Sequence, residues 1–445
     1  MSSPRKVIIL GAAGRDFHTF NTVFRGDPHH RVVAFTAAQI PDIAGRRYPP
    51  ALAGSGYPEG IPIVPEAELG DLIDRLRVDE VVFAYSDVPY PTVMRASAIA
   101  MAHDADFRLI GDARTRLPSR RPVISVCATR TGCGKSQTTR HLAALLRARS
   151  LKVVVVRHPM PYGDLAAQAV QRFAEPADLE RHHCTLEEME EYETHLDAGT
   201  VVYAGVDYAA ILTQAEAEAD VILWDGGNND TPFFHSDLEI VVADPLRAGD
   251  ETRYFPSEVN LLRADVVVIN KIDAAPPDAV DALRRNIHAA NPRAVVVDAA
   301  SPVEVDDPEA LRGKRVLVVE DGPTLTHGQM RHGAGVAAAR RFGAAELVDP
   351  RPWLVGALVD TFERYPHIGP LLPAMGYGPA QLRDLEQTIA AVDCDLVVVG
   401  TPIDLARHLT LTRPSVRVRY SLQCLGRPTL DDVVDRFLAT REASP

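Results

Sequence analysis

The chain has 445 residues, 46% of them hydrophobic and 24% charged, with a formal net charge of −13. That length supports two or three domains with a sizeable core. The acidic balance argues against nucleic-acid and membrane-surface partners, which need basic patches, while leaving room for a local basic pocket around an anionic small molecule. The first apolar run, "VIIL" at residues 7–10, is too short for a signal-peptide core, and no stretch approaches the ~20 apolar residues of a membrane span. Five cysteines with no C-x-x-C pair suit a reducing cytosol, so a cytoplasmic protein is expected.

In chain order, "KVIIL" followed by a glycine turn opens an α/β unit, a Rossmann-like parallel sheet over residues 1–116. "RVVAFT" (31–36), "VDEVVFAYSD" (78–87) and "FRLIG" (107–111) are its further strands, and "ELGDLIDRLR" (68–77) has helical spacing. The turn G-A-A-G is half of a dinucleotide fingerprint, but Arg15 and Asp16 displace the third glycine, so a substrate-phosphate or structural role fits Gly11 and Gly14 better. "TRLPSRRP" (115–122) reads as a linker. A second α/β unit, 120–336, follows. Its β-branched runs include "KVVVVRH" (152–158), "DVILWDG" (220–226), "LEIVVAD" (238–244), "ADVVVINK" (264–271) and "RVLVVEDG" (315–322), the pattern of parallel strands covered on both faces. Residues 337–392 read as a mainly helical lobe. Residues 393–445 read as strands and a helix returning to the second unit.

The segment "VISVCATRTGCGKSQTT" (123–139) has the order strand, glycine-rich turn, helix. A phosphate loop needs inward N–H groups, glycines that permit that path, a lysine, and a hydroxyl for magnesium. Thr131, Gly132, Cys133, Gly134, Lys135, Ser136 and Gln137 supply these, although Thr129 stands where the first glycine is usual. The pattern is similar to the loops of dethiobiotin synthetases and partition ATPases, the SIMIBI-like branch of P-loop proteins. In the partition ATPases a second lysine precedes the loop lysine by five residues. Arg130 holds that place here, either as a second positive charge on the nucleotide or the transferred phosphoryl group, across a dimer interface, or as a solvated arginine at the loop edge. Asp225, ending an apolar strand, is expected beside magnesium with Ser136. "NKID" places Asn270, Lys271 and Asp273 where GTPases read guanine; the alternative is helix capping.

Polar, glycine-rich stretches at strand ends exceed what nucleotide binding needs, and in open parallel sheets ligands sit there. They offer Arg15, Asp16, His18, Arg157, His158, Arg247, Thr326 and His327 for a second, phosphate-rich ligand, with His332 a weaker case. Each also has a capping or surface reading. The acidic stretch with Glu187, Glu188, Glu190, Glu191 and Glu193 reads as a solvated helix, with a cation site as the alternative.

Taken together, G-R-D-F-H-x-F-N, T-G-C-G-K-S-Q, R-H-P-M-P-Y-G-D-L, D-G-G-N-N-D, N-K-I-D and E-D-G-P-T-L-T-H-G resemble the cyclic 2,3-diphosphoglycerate synthetase family, from Val7 to about Leu430. The resemblance implies magnesium- and ATP-dependent closure of 2,3-bisphosphoglycerate into a cyclic pyrophosphate; potassium is a further candidate ion and a homodimer the preferred assembly. A substrate phosphate would attack the nucleotide, and its neighbour would then expel inorganic phosphate. N-K-I-D keeps GTP open. It also supports a second reading, a regulatory or metal-delivery GTPase carrying metal at "RHHC" (181–184), although two histidines and a cysteine without a fourth ligand make a poor zinc site. A third reading, a partition-type scaffold, would need the DNA or membrane partners that the charge disfavours.

Overall fold

The computed structural model describes residues 3–38, 43–158, 163–326, 328–375 and 379–442. The first unit is a sheet in the order 47–48, 61–65, 30–37, 5–10, 80–83, 106–108, parallel except at its 47–48 edge. Val7 and Ile9 pack with Phe17, Phe20 and Phe35 on one face, and Ile8 and Leu10 with Leu72 and Val81 on the other. That alternation is why the strand reads as an unbroken apolar run.

The central unit is a nine-stranded sheet in the order 171–173, 201–204, 153–157, 221–225, 123–128, 238–243, 266–269, 295–300, 423–425. Seven strands are parallel and the two edges antiparallel. The strand Val123–Ala128 lies between Val221–Asp225 and Leu238–Ala243, so its carboxyl end opens into the middle of the sheet, where helix Lys135–Ala148 begins.

Residues 303–420 form a third unit, which corrects the expected boundaries. The strands 315–321, 396–400 and 415–420 do not join the central sheet. They build their own six-stranded sheet with 303–305, 346–347 and 372–374, and Val316–Val319, Val397–Val399, Leu358, Leu385 and Ile389 fill its separate core. The stretch 337–392 therefore carries two short strands of this sheet besides its helices. Of residues 393–445, only strand Gln423–Leu425 and the closing helix from Leu430 return to the central unit; Val433 and Phe437 pack beside Leu142 and Leu146. β-Branched runs look the same in either sheet, so pairing was not readable from them.

The segment 115–122 is not a loose linker at its start. Arg116 is buried, donating to Glu239 at 2.5 Å and pairing with Asp112 at 3.5 Å, and Leu117 N–H donates to Phe233 O. Asp112 also accepts from Arg15 at 3.0 Å and from Thr231 at 2.8 Å. A charge network thus welds the first unit to the central one. Replacing Asp112 with alanine takes the carboxylate partner from the buried Arg15 guanidinium, while Arg116 keeps Glu239, and an unfolding free energy lower by about 3 kcal/mol is expected in urea titration.

Candidate functional site

The loop after Val123–Ala128 follows the path that its glycines allow. Gly132 and Gly134 have φ of +82° and +105°, a region that side chains rarely enter. A Cβ on Gly134 would come within 2.1 Å of Asn270 Nδ2. That close approach carries hydrogen bonds: Asn270 Nδ2 donates to Cys133 O at 2.9 Å, and Lys271 Nζ donates to Gly132 O at 2.6 Å while pairing with Asp244 at 3.0 Å. The N-K-I-D segment therefore braces the phosphate loop from beneath. Asp273 accepts from Ser301 N–H at 2.9 Å, and Lys271, Ala274 and Ser301 line the cavity beside the loop. Thr129 takes the place of the usual glycine without distortion: its N–H continues the sheet to Val242 O at 2.9 Å, and its hydroxyl contacts Cys133 Sγ at 3.6 Å.

Asp225 is fully buried. Burial alone would raise its pKa, but Arg157 and Lys135 outweigh it and hold the carboxyl well below the usual range. Lys135 Nζ lies 3.7 Å from Asp225 Oδ1; Arg157 pairs with Oδ2 and with Glu191, and His195 Nε2 stands 3.5 Å away. Arg157 also donates to Ser136 Oγ at 3.3 Å. Asp225 Oδ1 has no hydrogen-bond partner among the described residues. A hard, oxygen-seeking cation matches that orphaned oxygen and the neighbouring hydroxyl, so Ser136 and Asp225 fit magnesium.

A cavity of about 260 Å³ opens in front of these groups. One wall is the loop with Lys135, Ser136, Arg140 and Arg157. The opposite wall comes from the third sheet, with Glu320, Asp321, His332 and Tyr420, and helix Leu186–Asp197 closes the side with Glu190 and Glu191. That helix is not solvated, contrary to the sequence reading: Glu187, Glu188, Glu190 and Glu193 are all buried. Glu188 closes a capping box with Thr185, and burial lifts it to about 7. Among the described residues no group of three or more His, Cys, Asp and Glu side chains is arranged to hold a metal, so "RHHC" forms no such site.

The expected substrate residues divide. Arg157 and His158 line the cavity, and His158 is wedged against Gly14 and Gly227 with Nε2 3.2 Å from Asp230. Arg15, Asp16 and His18 do not reach it; they are structural. Arg15 belongs to the Asp112 network. Asp16 accepts the Ala13 and Phe17 N–H groups, both at 2.7 Å, and burial raises it to about 7. His18 stacks on Phe233 at 4.1 Å, bonds to Thr115 O, and is pushed by burial down to about 3. Arg247 ties Asp244 to Gly328 O, and Thr326 donates to Gly322 O. His327, like residues 159–162 of the R-H-P-M-P-Y-G-D-L stretch, lies outside the described residues. Arg130 lines the cavity but is held by Asp87 at 2.8 Å, Asp250 at 2.5 Å and the Tyr254 ring, with Nη2 unpartnered among the described residues. It is neither solvated nor surface-exposed.

Strand, glycine loop, helix, buried acid and cavity define a P-loop nucleotide-binding protein of mixed α/β architecture. No protein-family profile matches the chain. It is 56% identical over 433 residues, 97% of each chain, to "Arginine synthetase ArcE" of Thermococcus kodakarensis (strain ATCC BAA-918 / JCM 12380 / KOD1). The chain belongs to the family of that synthetase. Among solved structures it is similar to LpxK from Aquifex aeolicus, described in complex with ATP (12% identity, 78% of this chain and 95% of that one, TM-score 0.44). It is also similar to the hydrogenase maturation factor HypB of Archaeoglobus fulgidus (16% identity, 40% and 81%, TM-score 0.26). Among the described residues no helix is long and apolar enough to cross a membrane.

Removing the Asn270 brace should loosen the loop without opening the core. Asn270→Ala is expected to weaken nucleotide binding about tenfold, the order of one lost buried hydrogen bond, with little change in thermal unfolding; calorimetric titration measures it.

Proposed function

We propose that this chain is a nucleotide-driven synthetase that builds the guanidinium group of arginine or a close relative. The observation that carries the reading is its 56% identity to the arginine synthetase along 97% of both chains. Retrosynthesis supplies the partners: breaking one guanidinium C–N bond leaves a ureido amino acid and ammonia. A ureido oxygen is a poor leaving group. It attacks the terminal phosphate of the nucleotide, whose diphosphate departs. The resulting carbon–oxygen–phosphate linkage is then opened by ammonia at carbon, and inorganic phosphate leaves with the C–O electron pair. This is the activation-then-displacement sequence expected for the cyclic pyrophosphate, with nitrogen rather than phosphate as second nucleophile.

The residues support this division of labour. Lys135 and the loop N–H groups hold the β- and γ-phosphates. Ser136 and Asp225 would hold magnesium, which supplies charge neutralisation of those phosphates when bound. Arg157, already beside Ser136, is positioned to follow the transferred phosphate, and Glu191 and Asp225 steer its guanidinium. A substrate such as 2,3-bisphosphoglycerate would face Glu190, Glu191, Glu320 and Asp321, whereas an amino acid with a nitrogen-rich end suits such a wall.

Arginine formation from a ureido amino acid, ammonium, magnesium and ATP is the expected result, with GTP as a parallel reaction because Asp273 keeps that base open, and Lys135→Ala inactive. Mass spectrometry reads arginine and phosphorus NMR reads the phosphates. A cyclic pyrophosphate pair from 2,3-bisphosphoglycerate, with no arginine formed, would restore the diphosphoglycerate reading. Nucleotide hydrolysis stimulated only by a protein partner would favour the regulatory GTPase.

A further inference from the structure

Three of the five glutamates of helix Leu186–Asp197 hold elements of the fold together. Glu188 caps the helix, Glu191 pairs with Arg157, and Glu193 accepts from Arg407 at 2.6 Å and contacts His408 at 3.0 Å. Glu190 is 5% exposed, lines the cavity, and neither carboxyl oxygen finds an N–H or O–H donor among the described side chains and backbone. It faces the Asp321 carboxyl, with which it can only share a proton. Glu320, the next residue along the third sheet, is occupied: it accepts the N–H groups of Gly333 at 3.0 Å, Gly335 at 3.2 Å and Val336 at 2.8 Å.

Two carboxyls meeting inside a protein cost stability unless a proton or a cation sits with them. Burial, with Asp321 and Glu187 nearby, raises Glu190 well above its ordinary range, and burial raises Asp321 too. Meanwhile Arg140, in the same cavity, makes one hydrogen bond among the described residues, to Thr194 Oγ1 at 3.2 Å, and no carboxylate pairs with it. A cation and a pair of carboxyls thus share one chamber without neutralising each other. Asp321 accepts one hydrogen bond, from the Thr324 hydroxyl; its other oxygen, both oxygens of Glu190 and the Arg140 guanidinium are left for a ligand.

Resting on the arginine-forming reading, we infer that the Glu190–Asp321 pair is the seat of the substrate's cationic nitrogen, of ammonium or guanidinium class, and that Arg140 takes an anionic group of the same substrates. In the forward direction an ammonium ion seated there gives one proton to the ionised member of the pair. The neutral ammonia keeps its lone pair, forms the new C–N bond, and the C–O bond to phosphate breaks. In the reverse direction the pair holds the guanidinium.

The test uses the full-length protein with a non-hydrolysable nucleotide bound, titrated calorimetrically with guanidinium chloride and, separately, ammonium chloride against matched sodium chloride. Glu190→Gln and Asp321→Asn keep shape and remove charge. Each is expected to weaken binding of at least one cation about tenfold, as for loss of a buried charge partner, and to raise KM for ammonium while nucleotide affinity stays within about twofold. Binding equal to wild type in both variants would overturn the assignment. A protein that binds guanidinium through Glu190 but forms no arginine would keep the seat and discard the arginine reading. Arginine formation with unaltered ammonium dependence in both variants would do the reverse.

Discussion

The site depends on one buried carboxylate. Asp225 sits at the end of an apolar strand with no access to water, and an isolated charge there would be intolerable. Arg157, Lys135 and His195 converge on it from a neighbouring strand, the phosphate loop and an inserted helix. Each of those elements is therefore held in register by the same charge. Arg157 then reaches Glu191, which fixes the helix that closes the cavity. The loop's own path is secured from below by Asn270 and Lys271 rather than by a first glycine.

The cavity is a three-unit construction. The central sheet offers phosphate chemistry, as parallel sheets do at their carboxyl ends. The third sheet faces it with Glu320, Asp321, His332 and Tyr420. The first unit contributes little lining, through Ala13, but its Asp87 accepts from Arg130 and from Thr131 N–H and so anchors the loop from outside. Under the proposed reading the nucleotide lies against the central sheet and the acceptor against the third, an arrangement that suits a synthetase holding two unlike partners with water excluded between them.

Charge explains why the substrate residues divided as they did. Arg15 and His18 follow a glycine-bearing turn at a strand end, which is where ligand groups occur, yet burial spends both on joining units: Arg15 on Asp112 and Thr231, His18 on Phe233 and Thr115. The glutamate-rich helix is the opposite case. Its composition looks solvated, and its fold buries it.

The sequence by itself determined what depends on neighbours along the chain. The strand–loop–helix unit, its lysine and hydroxyl, the acid ending Val221–Asp225 and the segment after Val266–Ile269 are local patterns, because a phosphate loop is built from consecutive N–H groups. The α/β character of the units was legible for the same reason, through runs of β-branched residues. Tertiary structure alone decided which sheet the strands 315–321, 396–400 and 415–420 entered, since a buried strand's composition does not name its partner. It alone turned Glu190 and Asp321, far apart in the chain, toward each other in one chamber with Arg140, which among the described residues has no carboxylate partner. Burial and pairing are properties of distance in space, and those distances set which charges are consumed by the fold and which remain for chemistry.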